Sequence, residues 1–74
     1  MVKNEILEYL VQLPVDRIAA LWRARFHDGW VDWSDILDDM FYEILLSMLL
    51  HAKRIERADD VQKFEIRFRL KESV

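Results

Sequence analysis

Hydrophobic and charged residues alternate strictly near the C-terminus of the chain. From residue 64 to residue 71 the sequence runs Phe-Glu-Ile-Arg-Phe-Arg-Leu-Lys. A period of two is typical of a β-strand with one apolar and one polar face. The pattern predicts a strand over approximately residues 61–71. Because everything upstream predicts helix, this strand lacks a neighbour in its own chain, and we expect it to pair between chains to satisfy its backbone N–H and C=O groups.

Upstream of that strand, apolar residues recur every three or four positions, which is the period of an amphipathic helix. The pattern predicts three helices, over approximately residues 4–13, 15–27 and 33–57. Pro14 separates the first two, since the residue before a proline is disfavoured in the α conformation. Gly29 is suited to the left-handed position that ends the second helix. Asp32 is a favourable N-cap for the third.

The third predicted helix is apolar around most of its circumference between residues 40 and 50, which indicates burial on both sides. The chain has 74 residues, 53% of them hydrophobic, and no cysteine, so its core is small and has no disulfide to stabilise it. We therefore predict a mostly α, small α+β single domain over residues 1–74 that forms a two-fold dimer. The residues expected to mediate self-association are Tyr42, Leu46, Leu49, Leu50, Phe64, Ile66, Phe68 and Leu70.

The formal net charge of −3 is unevenly distributed, with an acidic run over residues 28–43 and an excess of basic residues over 53–71. Two tryptophans beside the acidic run are typical of binding hot spots, although they can equally close a small core. The acidic run can be a solvated helix face, and the basic residues can keep a strand edge soluble. The partner-binding candidates are Trp30, Trp33, Asp35, Asp38, Asp39, Lys63, Arg67, Arg69 and Lys71.

Nothing in the sequence predicts catalysis. The two histidines lie on different predicted helices, and neither has a paired nucleophile or metal-ligand spacing beside it. We expect no catalytic residues, no metal and no cofactor, and hence a protein that is not an enzyme. The N-terminus lacks the pattern of a signal peptide, and residues 44–50, the most apolar stretch, are too short to span a bilayer. The prediction is a cytoplasmic protein without a membrane partner.

These observations favour a small non-enzymatic protein-binding module, an adaptor or inhibitor, that acts as a homodimer. One alternative is a nucleic-acid-binding transcriptional regulator or antitoxin that uses paired basic C-terminal strands, a possible but not favoured function. The stretch from Ile6 to Trp22, with Leu-Pro at its centre, resembles the helix–Leu-Pro–helix start of many small bacterial antitoxins and regulators. A second alternative is a structural subunit whose third helix is buried inside a larger complex.

Overall fold

The computed structural model of the protein describes residues 3–71, which form four helices and a three-stranded antiparallel sheet. A mixed α+β fold, as predicted, is confirmed, although the numbers of helices and strands differ from the prediction. The elements in chain order are α1 (Lys3–Leu10), α2 (Val15–Phe26), β1 (Val31–Asp32), α3 (Trp33–Leu37), α4 (Met40–His51), β2 (Ile55–Asp60) and β3 (Glu65–Leu70).

The first two helices lie close to their predicted positions. Pro14 precedes α2 with an extended backbone (φ −65°, ψ 152°), which is the conformation that separates two helices at a proline. The end of α2 differs from the prediction. His27, not Gly29, has the positive φ there (φ 64°, ψ −160°), and its N–H donates to the C=O of Arg23 at 2.9 Å. Gly29 has no positive φ.

The prediction of one continuous helix over residues 33–57 is wrong. The helix is interrupted after Leu37, because Asp39 adopts an extended conformation (φ −139°, ψ 117°) and caps α4 instead of continuing α3. Its carboxylate accepts a hydrogen bond from the Phe41 N–H at 2.9 Å. Aspartate is among the best N-cap residues, and two successive aspartates therefore favour a break and a new helix start.

The C-terminus of α4 is also earlier than predicted. Lys53 takes the left-handed conformation (φ 59°), the Lys53 N–H donates to the Leu50 C=O at 3.1 Å, and the Arg54 N–H donates to the Leu49 C=O at 2.8 Å. This pair of bonds is the Schellman motif, which satisfies the last carbonyls of a helix and directs the chain away from its axis. Residues 55–57, predicted as the end of the third helix, therefore begin strand β2 (Ile55–Asp60).

The predicted C-terminal strand is present as β3, but its neighbours come from the same chain. The strand order is β1-β3-β2, so β3 is central. Phe68 lies opposite Val31 of β1 on one side and opposite Arg57 of β2 on the other. The premise that this strand lacks an internal partner is wrong, since a two-residue strand and a segment read as helix both pair with it. Dimerisation stays a prediction.

The helices and one face of the sheet enclose a single apolar core. Most of the apolar surface of α4 is covered within the chain, by α1, α2, α3 and β2. Phe68 and Trp22 are the largest side chains with no exposed surface. The buried residues are Ile6, Leu10, Ile18, Ala19, Trp22, Val31, Ile36, Ile44, Leu45, Leu46, Leu49, Ile55, Phe68 and Leu70.

Candidate functional site

The turn between β2 and β3, residues 61–64, is here called the hairpin tip. Asp60 holds its first half, since its carboxylate accepts hydrogen bonds from the backbone N–H groups of Gln62 (3.1 Å) and Lys63 (3.2 Å). Phe64 closes the turn with φ 55°. Short polar residues commonly organise a turn in this way. The hydrogen bonds to Asp60 therefore fix the first half of the tip, and Phe64, an aromatic residue, occupies the position with positive φ.

The hairpin tip carries the two most exposed large apolar side chains in the described part of the chain. Phe64 is 92% exposed and Val61 is 80% exposed. Glycine and asparagine are the usual residues at positive φ, whereas a bulky side chain there is an outlier that costs roughly 1–3 kcal/mol. Phe64 thus has a strained backbone and an exposed side chain, and neither feature stabilises the fold of the isolated chain.

Beside Phe64 lies an open pocket of about 200 Å³. Trp33 forms part of its wall and is held in place, because its ring packs against the buried ring of Phe68 at a centroid distance of 5.5 Å. The remaining lining combines apolar and acidic groups. The pocket is lined by Asp32, Trp33, Ser34, Phe64, Glu65 and Ile66. We call the hairpin tip and this pocket together the tip site.

The polar face of the sheet is a network of paired charges. The Arg69 Nε donates to the Glu56 Oε1 at 2.7 Å, and the Arg69 guanidinium carbon lies 4.4 Å from the ring centroid of Trp30. Arg67 lies 3.8 Å from the Glu65 carboxylate. Both arginines of β3 are therefore compensated by carboxylates within the chain. This face does not present the row of free cations that phosphate binding requires.

Another ion pair lies along β2. The Arg57 Nε donates to the Asp59 Oδ1 at 2.7 Å, and the Arg57 Nη2 donates to the Asp59 Oδ2 at 3.1 Å. This hydrogen bonding, reinforced by the opposite charge, lowers the pKa of the Asp59 carboxyl below its ordinary value and raises the pKa of Arg57. Both side chains are half-exposed, so solvent screens the pair.

A second apolar surface remains between α1 and α4. Two shallow grooves there, of about 490 and 630 Å³, share Ser47 and Met48. The exposed apolar side chains along them are Leu7, Val11, Met40 and Leu50. The sequence predicts that the third helix is apolar around most of its circumference. This surface is the part of that circumference that the fold leaves exposed.

The residues predicted for self-association fall into three groups. Leu46, Leu49, Phe68 and Leu70 are buried in the core of their own chain. Tyr42 and Ile66 are partly buried against that core. Leu50 and Phe64 are exposed: Leu50 lies at one of the α1–α4 grooves, and Phe64 lies at the hairpin tip.

The residues predicted for partner binding are distributed over several surfaces. Trp30 packs over Arg69 on the polar face of the sheet, whereas Trp33 lies in the tip site. Lys63 lies in the hairpin tip, and Lys71 follows β3 with its N–H donating to the Arg54 C=O at 3.0 Å. The acidic residues Asp35, Asp38 and Asp39 are all exposed, near the turn between α3 and α4. Within residues 3–71 no group of three or more potential ligands is placed to hold a metal ion.

The sequence does not predict two features of these surfaces, the strand β2 and the exposure of Phe64. The first half of β2, residues 55–57, falls within the predicted third helix, because Ile55 continues the apolar spacing of α4. Its alternation of Ile55, Arg57 and Asp59 with Glu56 and Ala58 is too weak in hydrophobic contrast to indicate a strand. The exposure of Phe64 was also missed, because it continues the alternating pattern of β3 by one residue into the turn.

Comparisons of the chain with protein-family models, with curated proteins and with solved structures find no match. Function is therefore inferred from the chemistry and geometry of the surfaces described above. None of the helices within residues 3–71 has both the length and the apolar character needed to cross a membrane.

Proposed function

We propose that the chain is a small non-enzymatic protein-binding module, an adaptor or inhibitor, that acts as a homodimer and engages its partner through the tip site. The observation that supports this most strongly is Phe64, a strained aromatic residue with 92% of its surface exposed. An outlier that disfavours the free fold is a reasonable indicator of a binding role. An exposed aromatic ring contributes most when a partner removes it from water.

The composition of the tip site indicates the chemistry of the partner surface. Phe64 and Trp33 offer aromatic area, while Asp32 and Glu65 add carboxylates at the rim of the same pocket. A partner segment with an apolar anchor flanked by Lys or Arg satisfies both features. Aromatic anchors surrounded by a polar rim are the usual anatomy of protein interfaces.

The two alternatives have less support. Nucleic-acid binding through β3 is disfavoured, since Arg69 is hydrogen bonded to Glu56 and Arg67 lies beside Glu65. The structural-subunit hypothesis depended on a helix with an uncovered second face, and most of that face of α4 is covered by the chain itself.

Photo-crosslinking tests the tip site directly. Phe64 is replaced by p-benzoylphenylalanine, a photoreactive and larger derivative of phenylalanine, and the protein is irradiated with a random peptide library displayed on beads. The matched control carries the same residue in place of Tyr9, which is 60% exposed on α1. We expect position 64 to select peptides with an apolar anchor and basic flanks, and position 9 to select none. Equal labelling at both positions would contradict the proposal.

A further inference from the structure

One edge of the sheet ends in a full-length strand without a neighbour. β2 (Ile55–Asp60) pairs with β3 over all six of its residues, and no strand of residues 3–71 lies on its other side. The opposite edge differs, because β1 is only two residues long and leads directly into α3. An edge strand presents unpaired N–H and C=O groups and is a template for another strand.

The order of charges along this edge is complementary to itself. If β2 pairs antiparallel with β2 of a second copy so that Ala58 faces Ala58, Arg57 of each copy lies opposite Asp59 of the other. Opposite charges directly across an antiparallel pair stabilise it. The small alanine side chains let the two strands approach closely at the centre. Within the single chain Arg57 and Asp59 bond to each other, yet 51% of Arg57 and 47% of Asp59 stay accessible, so each side chain retains surface for a second ion pair across the axis.

Neighbouring registers lack this complementarity. A shift by two residues in one direction places Arg57 opposite Arg57, and a shift in the other places Asp59 opposite Asp59; like charges across a strand pair are destabilising. In the favoured register Glu56 faces Asp60. The repulsion between these two carboxylates is reduced, because Glu56 is paired with Arg69 and the Asp60 carboxylate accepts hydrogen bonds from two backbone N–H groups of the hairpin tip.

We propose that two copies of the chain associate through their β2 edges, antiparallel and with Ala58 at the two-fold axis, so that two three-stranded sheets join into one of six strands. The inference rests on the homodimer of the proposed function and assigns its interface. It replaces pairing through β3, which is central in its own sheet. Val61 lies opposite Ile55 of the second copy in this register, so Phe64 lies beyond the paired residues.

Charge exchange tests the register. Arg57→Asp makes positions 57 and 59 both acidic, and Asp59→Arg makes both positions basic. We expect the natural chain of 9.0 kDa to sediment with twice that mass. Each variant alone should dimerise about tenfold more weakly or worse, and an equimolar mixture should recover the affinity of the natural dimer. Circular dichroism of each variant establishes that the fold is retained, as the exposure of both side chains leads us to expect.

Disulfide trapping locates the axis independently. The described chain contains no cysteine, so Ala58→Cys introduces a single thiol that faces its equivalent across the axis. We expect rapid oxidation of this variant to a covalent dimer. Glu56→Cys is the control on the same strand, since position 56 faces position 60, and it should oxidise slowly.

Three results would overturn the inference: a monomer at all concentrations, variants that dimerise as the natural chain does, or a mixture that fails to recover association. Crosslinking at position 64 measures peptide binding separately from these experiments. A monomer that still selects peptides at position 64 would refute the dimer interface and leave partner binding intact. A disulfide-trapped dimer that selects no peptides would refute partner binding through the tip site and leave the dimer interface intact.

Discussion

Phe64 and Phe68 have the same side chain four residues apart, and the structure assigns them opposite energetic roles. Phe68 is 0% exposed at the centre of the sheet, where its ring packs on Trp33 at 5.5 Å. Phe64 is 92% exposed. Replacing each phenylalanine with alanine therefore compares the loss of a buried ring at position 68 with the loss of an exposed ring at position 64.

The magnitude for Phe68→Ala follows from its burial. Removing a buried phenylalanine costs about 3–5 kcal/mol, including the cavity that remains. At about 0.05–0.15 kcal/mol per residue, a chain of 74 residues has a free energy of unfolding of about 4–11 kcal/mol. The substitution thus removes a large part of the total stability, and Tm should fall by at least about 12 °C. Phe64→Ala should change the free energy of unfolding by less than about 0.5 kcal/mol.

Urea unfolding followed by far-ultraviolet circular dichroism and tryptophan fluorescence provides the measurement, at one protein concentration for all variants because association shifts apparent stability. If Phe68→Ala is already unfolded without urea, Phe68→Leu provides a milder change of about 1.5 kcal/mol or less. Similar losses at positions 64 and 68 would show that both rings are packed, and would refute the assignment of Phe64 to an exposed turn.

Three further predictions concern the caps and charges. Asp39→Ala should lower the free energy of unfolding by about 1 kcal/mol, measured by urea titration, because α4 loses its N-cap hydrogen bond; an unchanged value would place the start of α4 elsewhere. Arg69→Ala should cost about 1 kcal/mol, and a double-mutant cycle with Glu56→Ala should assign about half of it to the ion pair, which is partly exposed. The Asp59 carboxyl should titrate below the ordinary pKa of about 3.9 in an NMR experiment and return to it in Arg57→Gln. Because the folded-state pKa is the lower one, the pair stabilises the fold above the ordinary pKa and is lost as pH falls through the folded value; identical titration in both proteins would exclude the ion pair.

Local signals were sufficient wherever a short stretch of sequence determines its own structure. The alternation from residue 64 to residue 71 predicts a strand where β3 (Glu65–Leu70) lies, and the residues around Pro14 predict the separation of α1 from α2, because both depend on periodicity or on steric constraints between adjacent residues. Trp33 and Phe64 of the tip site could also be named as candidates from the sequence, Trp33 for partner binding and Phe64 for self-association. Their proximity could not, since it arises from the packing of α3 against the sheet.

The helix predicted over residues 33–57 shows a limit of predicting secondary structure from local sequence. Ile55 extends the apolar spacing of α4, and nothing nearby excludes helix at residues 55–57. The competing conformation is stabilised by β3, whose residues 65–70 pair with this segment across a turn. Strand formation depends on cross-strand partners more than on intrinsic preference, so the segment's own sequence carries little of the information.

Composition and periodicity are enough to predict helices followed by an amphipathic strand, in a small domain without disulfides. The central position of this strand, the burial of Phe68, the exposure of Phe64 and the open edge at β2 are visible only in the folded chain. The reason is that strand order and exposure are set by contacts between distant segments. A two-residue strand at 31–32 and a segment that resembles helix supply the neighbours of β3, and that arrangement moves the unpaired edge from β3 to β2.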